Sequence, residues 1–117
     1  MMTLKETRQR MSQDPSYSTL HLMEFVDDFR REKNIQALKD PFAKGDEQMD
    51  ALAASTAEEL CLEMGLQAPN WLEGIPACHD PWFPSGIESL KAIALAESPL
   101  PFRLRKVFVL ENFLTRV

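Results

Sequence analysis

The sequence lacks several features on which common protein functions depend. Its four glycines do not form the glycine-rich loop that binds nucleotide phosphates, and it contains no serine-centred nucleophile elbow and no paired-histidine metal signature. The longest apolar stretch, residues 87–96, is interrupted by Glu88 and Lys91, whereas a membrane-spanning helix requires about 20 consecutive apolar residues. We therefore expect neither a phosphate-loop enzyme nor a protein that spans a membrane.

Cysteine and positive charge are also scarce. The chain contains two cysteines, and its first residues lack the apolar stretch of a secretory signal, so we expect a cytoplasmic protein in which Cys61 and Cys78 are both reduced. The formal net charge is −5, which disfavours direct binding to nucleic acid because such binding depends on neutralising phosphates. Acidic side chains concentrate in residues 40–80, where nine of them stand against Lys44 alone, a net charge of −8.

The chain has the length and composition of one small domain. It contains 117 residues, 44% of them hydrophobic, which suffices for a single core. The first 13 residues are mostly polar and show no buried period beyond Leu4 and Met11. We therefore predict a flexible tail over residues 1–13 and a single helical domain over residues 14–117.

The fold class is predicted to be mainly α, with three principal helices. A cap and proline signal at Asp14 indicates the start of the first helix, which should end near residue 33. Asp46 and Gly65 are typical N-cap and C-cap residues and enclose the second helix. The third helix is predicted over residues 86–96, because the sequence SGIE at its start has the form of a capping box.

An irregular segment, residues 66–84, is predicted between the second and third helices. It contains four prolines together with both tryptophans, Trp71 and Trp82. Backbone stiffened by proline and carrying large aromatic side chains is typical of a segment that covers a core, and we call residues 66–84 the strap. After the third helix, only residues 107–110 have the β-branched and aromatic composition of a strand. At most one short strand is therefore expected.

The adjacent residues Cys78, His79 and Asp80 carry side chains that can bind a metal or take part in nucleophilic catalysis. Neighbours in sequence rarely converge on one ion, and the cysteines and histidines of this chain lack the paired spacing of a zinc site. We expect no metal site, no cofactor and no catalytic set. A cleft formed by Cys78, His79 and Arg103, which would bind a small ligand or carry out a reaction, stays open as an alternative.

A cluster of basic and aromatic residues near the C-terminus suggests that the chain binds another protein. Beyond residue 40, the basic side chains cluster only at Arg103, Arg105, Lys106 and Arg116, among several phenylalanines. Arginine beside aromatic rings can hold an acidic group of a partner, or it can pair with acids of its own chain. The predicted partner-binding residues are Trp71, Trp82, Phe102, Arg103 and Arg105.

Several short motifs in residues 18–117 form a recognisable set: EFVDDFRR at 24–31, GL at 65–66, PNW at 69–71, PWF at 81–83, ESP at 97–99, FRLR at 102–105 and VFV at 107–109. This set resembles a bacterial module that usually lies C-terminal to a helix-turn-helix of the Cro/repressor type. The genes of that module are often assigned to toxin–antitoxin pairs, beside a nucleotidyltransferase-like protein. The resemblance implies binding to a second protein and assigns no chemistry to any position. The resemblance covers roughly residues 18–117, and the 17 or so residues before it are too few for a helix-turn-helix.

The sequence therefore predicts a non-catalytic protein-interaction domain, antitoxin-like or an accessory partner of a second bacterial protein encoded by a neighbouring gene. Two alternatives stay open, namely a ligand-binding protein or enzyme with the cleft described above, and a DNA-binding regulator. Self-association is compatible with the sequence, which does not fix an oligomeric state.

Overall fold

The computed structural model describes residues 1–115, which form a mainly helical fold, as the sequence predicts. No β-strand occurs in this part of the chain, and no helix in it is long and apolar enough to cross a bilayer. The structure contains more helices than the three expected, and Arg116 of the predicted basic cluster lies outside the described residues. The α-helices are α1 (Leu4–Gln13), α2 (Ser18–Glu32), α3 (Glu47–Met64), α4 (Lys91–Glu97) and α5 (Leu100–Leu104), with 3₁₀ turns at Pro15–Tyr17, Ile35–Leu38, Asn70–Gly74 and Glu88–Leu90.

The N-terminal segment differs from the predicted flexible tail, because helix α1 occupies most of residues 1–13 and packs against α2 and α3. The helix begins with a capping box, in which the backbone N–H of Glu6 donates to Oγ1 of Thr3 and the Glu6 carboxylate accepts from the Thr3 N–H. Leu4 and Met11 are seven residues apart on one face, and both are completely buried. These two apolar side chains attach a mostly polar helix to the core formed by the rest of the chain.

A buried ion pair also joins α1 to α3. Nε of Arg8 donates to Oδ1 of Asp50 at 2.7 Å, and both side chains are almost completely buried. The second oxygen of Asp50 accepts a hydrogen bond from the N–H of Gly45 at 2.9 Å. Removing one member of a buried pair leaves the other charge without a partner, which costs several kcal/mol. The pair therefore fixes the position of α1.

Helix α3 has the limits predicted from its caps. The Asp46 side chain accepts from the N–H of Met49 at 2.9 Å, and Gly65 ends the helix with a left-handed φ of 68°. Most of α3 is buried, and it packs against α1, α2 and α5. It forms the centre of the core together with the stacked rings of Phe25 and Phe29 from α2.

The third predicted helix begins later than expected, because the capping box at residues 85–88 does not form. Gly86 has a left-handed φ of 65°, and its N–H donates to the carbonyl of Phe83 at 2.9 Å, which closes a turn where the helix was predicted to begin. Helix α4 starts only at Lys91, and Ala94 is its one buried residue. The capping-box interpretation therefore placed the start of this helix too early.

The strap is irregular apart from one 3₁₀ turn and covers the core, as predicted, with Leu72, Ile75 and Cys78 buried. It is joined to the chain after α5 by backbone hydrogen bonds. The N–H of Trp82 donates to the carbonyl of Lys106 at 2.8 Å, and the carbonyl of Trp82 accepts from the N–H of Phe108 at 2.8 Å. These bonds form one parallel bridge in place of the short strand allowed for residues 107–110.

Candidate protein-interaction surface

A groove of about 350 Å³ lies between the end of α3 and helix α5, and we call it the leucine groove. Leu62, Leu100 and Leu104 surround it and are 65%, 61% and 68% exposed. Single exposed leucines are common on protein surfaces, whereas several around one groove indicate a binding surface. The groove is lined by Glu58, Cys61, Leu62, Leu66, Gln67, Ala68, Leu100, Pro101 and Leu104.

Helix α5 exposes leucines because its other face is the one that packs on the core. Leu100 and Leu104 are four residues apart and so share one face of the helix, whereas Pro101 and Phe102 are buried. The hydroxyl of Ser55 in α3 donates to the carbonyl of Pro101 at 3.1 Å, which fixes α5 against α3. The orientation of α5 therefore leaves its two leucines in solvent.

A second cleft, of about 330 Å³, adjoins the leucine groove on its strap side. Glu58 and Leu104 line both spaces, and the strap contributes Glu73 and the segment Ile75, Pro76 and Ala77 to the second one. Leu104 therefore stands between two neighbouring depressions. We call the second of these, lined in part by the strap, the strap cleft.

Arg105, a predicted partner-binding residue, holds the strap from inside the protein. Its guanidinium donates to the carbonyl of Leu72 at 2.7 Å, to the carbonyl of Ile75 at 3.1 Å and to the carboxylate of Glu58. The side chain is 8% exposed, and these bonds span the strap, α3 and the end of α5. Because its donors are engaged within the chain, Arg105 does not present them to a partner in this structure.

Phe102 is also internal, since its side chain is completely buried and packs edge-on against Phe113. The two tryptophans are half-buried. Nε1 of Trp71 donates to the carbonyl of Leu38 at 2.8 Å, and its ring packs edge-on against Phe42. Phe102 thus loses the basis for its predicted contact with a partner, whereas both tryptophans keep part of their surface in solvent.

Arg103 is exposed, and its guanidinium donates to the carbonyls of Ala96 and Ser98 at 3.1 Å each. These carbonyls lie at the C-terminal end of α4, where a positive charge offsets the helix dipole. Of the predicted arginines within residues 1–115, Arg103 is therefore the one that faces solvent.

Cys78, His79 and Arg103 do not come together as a reactive cleft. Cys78 is buried, and burial raises the pKa of its thiol, which nearby acidic side chains raise further. The His79 side chain is 87% exposed, with Nδ1 lying 3.5 Å from Oδ1 of Asp80. Arg103 is engaged with the end of α4. No group of three or more His, Cys, Asp or Glu side chains suited to a metal ion occurs among residues 1–115.

Acidic side chains predominate on α3, and one of them, Glu58, lines the leucine groove. Helix α3 contains five acidic residues and no Lys or Arg, and the basic side chain at its last turn is Arg30 of α2, which pairs with Glu63. Burial raises the pKa of Glu59, and the neighbouring Glu63 carboxylate raises it further. Burial and the charge of Glu58 raise the pKa of Cys61 in the groove wall to about 11, so this thiol is protonated at neutral pH.

The exposed leucines were not predicted as site residues. The spacing of Leu100 and Leu104 after Pro99 already indicated an apolar helix face. An apolar face in a small domain is usually a buried one, and only the packing of Phe102 reveals that α5 is turned the other way.

In comparisons with protein-family models, curated proteins and solved structures, no match to this chain was found.

Proposed function

We propose that this chain is a non-catalytic protein-binding domain, antitoxin-like or an accessory partner of a second bacterial protein. The observation that carries the proposal is the leucine groove, where Leu62, Leu100 and Leu104 are each more than 60% exposed. Large apolar side chains grouped around a groove gain free energy when a partner removes them from water. The contact surface is the leucine groove with the adjoining strap cleft.

The proposed surface differs in part from the partner-binding residues predicted from the sequence. Leu104 is central, because it borders both the groove and the cleft. Trp71, Trp82 and Arg103 remain candidate contacts because part of each side chain reaches solvent. Phe102 and Arg105 support the surface from beneath.

The non-catalytic part of the proposal is supported by the state of the candidate reactive groups. A cysteine nucleophile acts as the thiolate, whereas the pKa values of Cys61 and Cys78 are both raised. His79 is surrounded by solvent and its ring lies beside Asp80, so it is not held against a nucleophile. Binding thus accounts for the features of the surface without a reaction.

The test is co-expression of the full chain with the product of the neighbouring gene, followed by size-exclusion chromatography. We expect a stable complex that Leu104→Ser weakens. Leu20→Ser is the matched control, because Leu20 is 49% exposed on α2 and does not line the groove. If the two wild-type proteins elute separately at micromolar concentration, a binding strength of about −8 kcal/mol is not reached and the proposed pairing is wrong.

A further inference from the structure

A pocket of about 150 Å³ lies beneath helix α4, and we call it the α4 pocket. Its walls come from α4, the start of α2, the end of the strap and residues 108–113. It shares no lining residue with the leucine groove or the strap cleft, and neither Cys78 nor His79 lines it. The lining includes Thr19, Ser85, Ala94, Phe108, Val109 and Phe113.

Each of the two aromatic rings in the wall is held by a second ring outside the pocket. Phe108 stacks on Phe83 with ring centroids 5.4 Å apart, and Nζ of Lys91 lies 5.3 Å from the centroid of the Phe83 ring. Phe113 packs edge-on against the buried ring of Phe102. Binding to side chains that are already ordered costs little conformational entropy, so these walls are suited to a ligand.

The floor of the pocket is formed by Ala94 and Val109, which are both buried. The hydroxyl of Ser98 joins them, because it accepts from the N–H of Val109 at 2.9 Å and donates to the carbonyl of Ala94 at 2.6 Å. Ala94 is the one buried residue of α4. The side chain of an alanine is a single methyl group, which leaves the space between α4 and residues 108–113 unfilled.

Two hydroxyl groups stand at the rim of the pocket. Thr19 and Ser85 are exposed, whereas the other lining residues are buried or half-buried. Oγ of Ser85 accepts from the N–H of Ile87 at 3.3 Å, and its own hydrogen can be donated to a ligand. Apolar walls with a few polar groups that orient the ligand are typical of small-molecule sites.

The volume of the pocket limits the ligand to one ring. Sites for drug-sized ligands measure about 300–1,000 Å³, whereas an apolar cavity of about 150 Å³ accepts a single benzene ring. Aromatic walls favour an aromatic ligand, because rings attract one another in offset-stacked and edge-to-face arrangements.

From this geometry we infer that the α4 pocket binds a small molecule with one aromatic ring and one polar substituent, of the phenol type. The ring would contact Phe108 and Phe113, and the substituent would form hydrogen bonds with Thr19 and Ser85 at the rim. This inference goes beyond the proposed function and does not depend on it, because the two sites have no residue in common.

The test is a titration of the full chain, carrying ¹³C-labelled methyl groups, with phenol itself, followed by NMR. The methyl signals of Ala94, Val109 and Leu110 should shift saturably, with half-saturation at about 0.1–1 mM. The signals of Leu62 and Leu104 in the leucine groove should not shift. Benzene, which lacks the hydroxyl, should bind about threefold to tenfold more weakly, and 2-naphthol, which has a second ring, at least about tenfold more weakly than phenol.

Variants locate the binding in the α4 pocket. Ala94→Leu fills the space and should weaken phenol binding at least about tenfold, whereas Ala92→Leu, the matched change at an exposed position of α4, should leave it unchanged. The double variant Thr19→Val/Ser85→Ala removes both rim hydroxyls, and phenol should then bind no more tightly than benzene. Both rim residues are exposed, so this variant provides a test even if Ala94→Leu does not fold. Circular dichroism checks the fold of each variant.

Four outcomes would overturn the inference. Phenol causes no saturable shift up to about 10 mM, or the signals of Leu62 and Leu104 shift in place of those of Ala94 and Val109. Alternatively, 2-naphthol binds as tightly as phenol, or a folded Ala94→Leu variant binds phenol as the wild type does. None of these results bears on a complex with the product of the neighbouring gene, so failure of this inference and failure of the proposed function are distinguishable.

Discussion

Replacing Arg105 by methionine tests whether this residue holds the strap or faces a partner. Methionine retains much of the apolar volume of the side chain and removes all guanidinium donors. The change removes the guanidinium donors from the carbonyls of Leu72 and Ile75 and from the carboxylate of Glu58, and of these the Leu72 carbonyl keeps a second donor, the N–H of Ile75. We expect the strap to lose its main attachment to α3 and the chain to be destabilised.

The expected magnitude follows from the surroundings of Arg105. A buried carbonyl that loses its donor costs about 1–3 kcal/mol, and removing one member of a buried ion pair costs about 3–5 kcal/mol. The Glu58 side chain is 20% exposed, so solvent relieves part of the second cost. We expect a loss of about 3–4 kcal/mol in the free energy of unfolding, a large share of the roughly 5–15 kcal/mol typical of a domain.

Urea unfolding followed by circular dichroism measures the loss. Arg103→Met is the matched control, because this arginine is exposed, and its loss should stay within about 1 kcal/mol. Arg105→Lys keeps the charge near Glu58 without the planar fork, and we expect an intermediate loss of about 1–2 kcal/mol. This variant remains measurable if the methionine variant is unfolded. Equal losses for the Arg105 and Arg103 methionine variants, or a loss below about 1 kcal/mol at Arg105, would refute the reasoning.

Four further predictions concern other parts of the chain. Deleting residues 1–13 should abolish the cooperative unfolding transition seen by circular dichroism, whereas removal of a flexible tail would leave it intact. Trp71→Phe should lower the free energy of unfolding in urea by about 1–2 kcal/mol, because the Leu38 carbonyl loses its donor. In the folded chain, Cys61 and Cys78 should react with a disulfide reagent at pH 8 far more slowly than in denaturant, and fast labelling of both would contradict their burial. Folding raises the pKa of Cys61 from 9.0 to about 11, so the contribution of this thiol to stability is complete below pH 9. Between pH 9 and 11 the free energy of unfolding should fall by about 2–3 kcal/mol. The Cys61→Ala variant should not show this loss.

Helix α3 was predictable from the sequence because its limits are set by local chemistry. A carboxylate at Asp46 and a glycine at Gly65 act on the backbone within a few residues. Helix α1 was missed because its stability is not local. Leu4, Arg8 and Met11 attach this mostly polar segment, and their contribution depends on Asp50 and on a core built by distant residues. Burial of an arginine is rarely expected from sequence.

The third predicted helix shows the limit of a motif read alone. The sequence SGIE has the residue types of a capping box. A capping box also requires that the residues after its first one adopt a right-handed helical conformation. Gly86 adopts a left-handed conformation instead, which glycine permits at low cost. The strap was predicted more reliably, because proline interrupts helices and strands everywhere except near their ends.

Some of the predicted contact residues are buried and others are exposed, and only tertiary packing determines which. Sequence alone allowed the arginines near the C-terminus either to bind a partner or to pair with internal acids. The structure assigns Arg105 to the second role and leaves Arg103 exposed, although the two are separated by Leu104 alone. The rotation of α5 that buries Phe102 brings this about. That rotation cannot be predicted from a helix of five residues whose four apolar side chains are spread around it with one arginine.

The rotation of α5 also explains why the leucine groove is a plausible source of binding energy. The helix directs the guanidinium of Arg105 inward, where its donors are bonded, and leaves Leu100 and Leu104 in water. Burying a fully exposed leucine side chain contributes about 1.5–3 kcal/mol of favourable free energy. Leu100 and Leu104 are mostly exposed, so a partner that buries either of them would release more than half of that free energy. With Leu62 beside them, the available free energy is comparable to that of a small set of interface hot spots. Arg105 and the exposed leucines are thus linked, since the bonds that hold the arginine inside the chain keep the leucines outside it.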